Sequence, residues 1–252
     1  MNPFTPTTLP LTSYTSASPF SQGWQWLTDG RNWQGTSGIL SRTLEHLGYT
    51  GLTLLISIAI AVPLGLYVGH TGRGRAVVVS LASMLRALPT LGIMTLLALM
   101  ATTSLSLAPA ICALVLLAVP PILTGTYAGI AAVDRETVDA ARGVGMTGAQ
   151  VLFRVEVPNG LAVMMGGLRS AVLQVISTVA VVAFISLGGL GRYIIDGLAV
   201  QDYGQVLGGA LIIAALAIAI DGLLALLQRS VVSPGLKRTA ASPVPANSPT
   251  TS

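Results

Sequence analysis

Charge is what this chain has least of. Of its 252 residues only 9% are Asp, Glu, Lys or Arg, against about 25% in soluble domains. Some 52% are hydrophobic, and that balance excludes an ordinary soluble fold and places the chain in a bilayer. Lysine is nearly missing, Lys237 being the single one. A P-loop needs a lysine beside the phosphates within G-x-x-x-x-G-K-[ST], so nothing here can bind ATP in that way. One cysteine, Cys112, lies in an apolar run; it forms no internal disulfide and reads as a small buried hydrophobe. The two histidines, His46 and His70, fall at the ends of the first apolar run and read as interface residues. They belong to no metal-ligand pattern, so no metal or other cofactor is expected. The net charge of +4 rests on arginines beside apolar segments, a signature of topology and not of nucleic-acid binding.

Five apolar runs are present, at about 51–68, 76–100, 108–130, 160–187 and 206–227, each near the ~20 residues a membrane span requires. An all-α, five-span integral membrane protein is therefore expected. Arg73 and Arg75 follow the first run, Arg135, Arg142 and Arg154 follow the third, and Arg229, Lys237 and Arg238 follow the fifth. Positive residues favour the cytoplasm, so these regions share that side, with the N-terminus outside and the C-terminus inside. Residues 1–21 and 231–252, rich in Thr, Ser and Pro, read as disordered, and 47–230 as the membrane domain. Trp24, Trp26 and Trp33 precede the first run, and residues 22–46 read as an outer-surface interfacial segment or a small cap. The glycine pairs Gly65/Gly69, Gly125/Gly129 and Gly204/Gly208 allow close helix contact. Pro63 and Pro89 should kink their spans. Gly188, Gly189 and Gly191 read as a flexible turn.

Against this background one stretch stands out. Asp134, Arg135, Glu136, Asp139, Arg142, Arg154 and Glu156 crowd into 23 residues. Asp134 can cap a short helix through Arg142, with Glu136 in its first turn. Gly143 and Gly145 end that helix. Thr147 and Gln150 fit a capping box opening a second one, and Pro158 suits the start of the fourth span. A helix–turn–helix over 131–159 is expected to project into the cytoplasm, with Val144, Met146 and Phe153 as apolar contacts. A plain connector would be shorter and needs no apolar cluster, so the loop reads as a docking surface.

Asp139-Ala140-Ala141, then Gly145, then Val155 and Val157-Pro158 resemble the "EAA" loop of permease subunits in type I ATP-binding-cassette importers, with Asp139 in place of the usual Glu. The resemblance implies a coupling helix seated on a cytoplasmic ATPase, with Glu136, Asp139, Ala140, Ala141, Gly143, Gly145, Met146, Phe153 and Pro158 as the coupling residues. It also implies an extracytoplasmic substrate-binding protein and a second permease subunit, identical or paralogous, within the cytoplasmic membrane. The chain itself would not be an enzyme. Glu45-His46-Leu47, Arg86-Ala87-Leu88-Pro89 and Phe184-Ile185-Ser186-Leu187 resemble the glycine betaine, choline and proline uptake branch, and importers of methionine share the architecture. A secondary transporter working without an ATPase is the reading from another class.

Charge within the bilayer costs at least about 2.5–3.5 kcal/mol per group. Arg86 and Asp221 are therefore expected to pair or to face an aqueous path, unless Arg86 snorkels to the interface. Pro89, Gln174, Ser177 and Thr178 are further path candidates. With 5% aromatic residues, few of them mid-span, an aromatic cage for a quaternary ammonium is not expected; a low-affinity gate is.

Overall fold

A computed structural model describes residues 18–100 and 107–231, and no strand occurs among them. Helix α1 spans Pro19–Thr28 and is followed by a 3-10 turn at Gly30–Trp33. Then come α2 (Ile39–Thr71), α3 (Arg75–Ala87), α4 (Thr90–Met100) and α5 (Leu107–Ala131). The remainder is α6 (Arg135–Gly143), α7 (Gly148–Val151), α8 (Val157–Val179), α9 (Gly191–Val200) and α10 (Tyr203–Val231). A π-turn at Leu152–Glu156 joins α7 to α8. Among the described residues four helices are long and apolar enough to cross a membrane, and five if the bent pair α3–α4 is one span. The proposed tail beyond residue 231, the first 17 residues and most of the loop after α4 lie outside the described residues.

Helix α5 runs through the centre, between α2 and α8. Its residues from Ala110 to Ile130 are largely buried. In lipid no hydrophobic force pulls helices together, and close packing through small residues does that work instead. A Cβ on Gly125 would sit 2.6 Å from the Gly167 Cα, and one on Gly129 2.7 Å from the Gly160 carbonyl oxygen. Gly65 and Gly69 of α2 approach Thr126 and Ile130 of α5 as closely. Gly204 and Gly208 of α10 receive Gln22 and the Trp26 ring from α1. Each of the three glycine pairs thus has a specific partner helix, beyond the general close packing its spacing suggests.

Several expectations are corrected. Helix α2 begins at Ile39, so the last turns of the expected interfacial segment are the start of the first span. Residues 19–21, expected to be disordered, open α1, capped by Ser18 and with Pro19 in the first turn. Helix α1 lays Gly23 and Trp26 on α10 and α9, the Trp26 ring meeting Tyr193 edge-on at 4.9 Å. Phe20 and Trp24 stay exposed. Cys112 points outward from α5. Pro63 is carried inside an unbroken α2, flanked by Ala61 and Gly65 packed on the bundle. Pro89, in contrast, breaks the second span by 83°. Leu88 is extended there (φ −74°, ψ 131°), the conformation that a following proline favours.

Candidate functional site

The charged loop folds as its sequence dictates. Asp134 accepts the Glu136 N–H at 3.4 Å and caps α6. The helix closes on Gly145 at φ +89°. There the Met146 N–H donates to the Ala141 carbonyl and the Gly145 N–H to the Arg142 carbonyl. That pair of bonds is the Schellman closure, which needs a left-handed residue at Gly145. Thr147 and Gln150 form the capping box, the Thr147 N–H donating to Gln150 Oε1 at 2.8 Å and the Gln150 N–H to Thr147 Oγ1 at 3.4 Å.

The second short helix is not separate from the span. Helix α7, the π-turn and α8 run on continuously to Ile185. Pro158 therefore lies within the helical run instead of at the start of a new helix. The π-turn, in which the Val157 N–H bonds to the Leu152 carbonyl, sits just before this donorless residue, and Asn159 Nδ2 donates to the Val155 carbonyl at 2.7 Å.

Ala141 and Val151 are buried and hold α6 against α7. Glu136, Asp139, Ala140, Gly143, Gly145 and Pro158 are exposed, and Met146 is half-buried. Val144 is 80% exposed and Phe153 62%. The loop thus offers apolar tips within a charged frame. Such tips on an otherwise polar surface suit a partner's pocket. Behind the loop lies an open cleft of about 490 Å³, edged by Arg75, Arg135, Asp139 and Arg142. Arg75 stacks over Tyr127 at 5.9 Å from the ring centre. His70 and Glu156 form part of its lining, with His70 Nδ1 2.6 Å from Glu156 Oε2. His70 is thus paired with Glu156, and sequence spacing gave no sign of this contact.

The opposite end of the bundle is also pinned. Glu45 accepts the Gly189 N–H at 2.8 Å and pairs with Arg42 at 2.9 Å. His46 is fully buried, and its Nε2 lies 2.9 Å from the Ile176 carbonyl. Tyr193 donates from its hydroxyl to the Ser37 carbonyl at 2.7 Å, and burial raises its pKa above the ordinary phenol value. Gly191 abuts the Ala180 backbone. The glycine segment at 188–191 is therefore an anchored corner, not a flexible turn, and His46 belongs to the core.

The path candidates are not gathered into one cluster. Arg86 donates from Nη2 to Thr124 Oγ1 at 3.3 Å. Asp221 is held by Arg169, with bonds of 2.8 and 2.9 Å from Nη2 and 3.0 Å from Nε. Arg169 Nη1 also reaches Gln228 Oε1 at 3.1 Å, and Gln228 donates to the Ala162 carbonyl. The expected Arg86–Asp221 pair is replaced by Arg169–Asp221, a clamp between α8 and α10. Arg169 went unnoticed because periodicity reads it as one residue of an apolar run; its burial cost was the signal available. Gln174 and Ser177 share one face of α8, one helical turn apart, with Ser177 exposed. Ser177 and Thr178 each donate to the carbonyl four residues before, Leu173 and Gln174.

Residues 61–233 match the family described as the binding-protein-dependent transport system inner membrane component. A glycine betaine/carnitine/choline transport system permease protein, OpuCB of Bacillus subtilis, is 34% identical over 79% of this chain and 91% of its own length. OsmW of Salmonella typhimurium, an osmoprotectant import permease protein, is 33% identical over 79% of this chain and 94% of its own. In fold, the chain is similar to the inward-facing MetNI methionine ABC transporter, with a TM-score of 0.68, 19% identity, and coverage of 77% and 96% of the two chains.

Proposed function

The chain belongs to the family of binding-protein-dependent transport system inner membrane components, and on that premise we propose that it carries an osmoprotectant of the glycine betaine and choline class. The chain is the multi-pass transmembrane permease subunit of an ATP-driven importer; hydrolysis belongs to a separate subunit, as the lack of any P-loop lysine requires. The cargo reading is carried by one observation: relatives matched over nearly their whole length are named for betaine, carnitine and choline transport or for osmoprotectant import.

A loop with exposed Val144 and Phe153 is the docking site for the cytoplasmic ATPase, and Glu136, Asp139 and Ala140 frame it. Two permease subunits work as a pair. ATP draws the two ATPases together, the loops follow, and the spans alternate between inward-open and outward-open. An extracytoplasmic binding protein delivers the solute. Scarce aromatics in the spans support a gate of low affinity. The N-terminus lies outside and the C-terminus inside, as the arginine distribution favours. Arg86, Pro89, Gln174 and Ser177 line the path.

Reconstitution with the ATPase and the binding protein tests the reading. ATP-dependent uptake of radiolabelled betaine or choline is the expected result, and uptake that continues without ATP overturns it. Measuring which of betaine, choline, proline and methionine the binding protein retains decides the cargo. Asp139→Arg is expected to separate ATP hydrolysis from uptake while the protein still inserts. Arg86→Ala should reduce uptake if that guanidinium faces the path.

A further inference from the structure

Every other charged group near the loop is exposed, yet Glu156 is buried, with 6% of its side chain accessible. It closes the π-turn. A π-turn inserts one extra residue, which rotates the helix before it by about 100° relative to the helix after it. Such insertions persist where the added residue does something. Here the turn aims Glu156 across the bundle at the C-terminal end of α2. The partner is His70, 86 residues away in sequence, at 2.6 Å. Nδ1 is the ring atom that meets the carboxyl group, and it donates in the tautomer that carries its proton there. The opposite edge of the ring faces the start of α7: a Cβ added at Gly148 would lie 3.5 Å from Nε2, and glycine leaves that space open. Among the described residues, no other hydrogen bond or ion pair between side chains joins α2 to α7 or the π-turn.

We propose that His70 and Glu156 are the positioning pair that carries movement of the coupling loop into α2. The inference rests on the docking reading of the loop. When the loop is drawn by its ATPase, α7 and the π-turn move as one continuous helix with α8. The bond between Glu156 and the His70 ring then takes α2 along, and α2 packs on α5 through Gly65 and Gly69. A side-chain bond between two helices is a discrete contact that can be made or lost, as a two-state element requires.

The charged groups around the pair are Arg75 from α3, and Arg135, Asp139 and Arg142 from α6, which share its cleft. None of them forms a hydrogen bond or ion pair with either partner, so the contact is specific to His70 and Glu156.

The test is a double-mutant cycle on the complete importer in proteoliposomes, reading solute molecules taken up per ATP hydrolysed. His70→Phe keeps a ring without the donor, and Glu156→Met keeps the length without the charge. Apolar replacement of both partners in a buried pair is often nearly neutral for stability, so the double variant is expected to assemble. Each single variant should lower the ratio about tenfold, and the double variant no further, because residues in one link do not act additively. Glu156→Gln retains an oxygen to accept from Nδ1 and should stay within about threefold of the parent. A ratio unchanged in both single variants overturns the proposal, even if thermal stability falls. Losses that multiply in the double variant also overturn it. Asp139→Arg run in parallel separates the two readings. If it uncouples and the pair variants do not, only the link is wrong; if none of them uncouples, the docking reading is wrong as well.

Discussion

Helix α2 is fastened to the α8 run at both ends, and the two fastenings are made differently. At the end away from the charged loop the bonds join side chain and main chain: Glu45 with the Gly189 N–H and His46 with the Ile176 carbonyl. At the loop end, the inner end of the proposed topology, a side chain meets a side chain, His70 with Glu156. The two histidines stand 24 residues apart on one helix, or ~36 Å at the α-helical rise. His46 is buried at 0% exposure, so water does not stand ready to replace its ring at the Ile176 carbonyl. The His70–Glu156 pair lines an open cleft, so parting the two groups would turn them toward water. One end of α2 is thus built to stay and the other is placed where it can let go.

Variants at the two corners should therefore fail in different ways. The largest effect is expected from Gly191→Val, whose Cβ would press on the Ala180 carbonyl carbon 2.6 Å away. Backbone cannot yield as a side chain does, so ~3 kcal/mol or more of stability should be lost, seen as a large fall in Tm in detergent and in yield. Next comes His46→Ala, which empties a fully buried site and strands the Ile176 carbonyl. A loss of ~2 kcal/mol is expected, with solute moved per ATP unchanged in the molecules that remain folded. At the inner end the pattern reverses. Phe153→Ala removes an exposed ring, so Tm should hold, while affinity for the ATPase should fall about tenfold, as for an interface anchor. A fall in Tm without loss of affinity would show that the ring belongs to the fold and not to an interface. The smallest effect should come from Glu136→Gln, a few tenths of a kcal/mol through the α6 dipole, read as a slight loss of ATPase affinity that grows at low salt.

Local signals were legible in the sequence and distant pairings were not. Asp134, Thr147 and Gln150 act within three residues of themselves, so their caps follow from spacing alone. Apolar run lengths found the spans for the same reason. The pairs Arg169–Asp221 and His70–Glu156 join residues 52 and 86 apart, and no periodicity encodes that. The π-turn was invisible because it depends on what Glu156 reaches across the bundle. Gly125 and Gly129 did announce a contact, but with 28 glycines in the chain only the partner surface, Gly160 and Gly167, tells function from chance. Gly188 and Gly191 misled in the opposite direction: glycine there serves close approach to Glu45 and Ala180, not looseness.

The elbow at Pro89 reaches further than its angle. Helix α3 has 13 residues and α4 has 11, or ~20 Å and ~16 Å of helix, and neither alone crosses a hydrocarbon layer of ~30 Å. At the break the last four carbonyls of α3 and the first amides of α4 lack helical partners. Main-chain groups freed in this way are tolerated at membrane depth only against protein or water. A protein with so few polar side chains thereby acquires peptide dipoles without helical partners at the break between α3 and α4, set there by one proline.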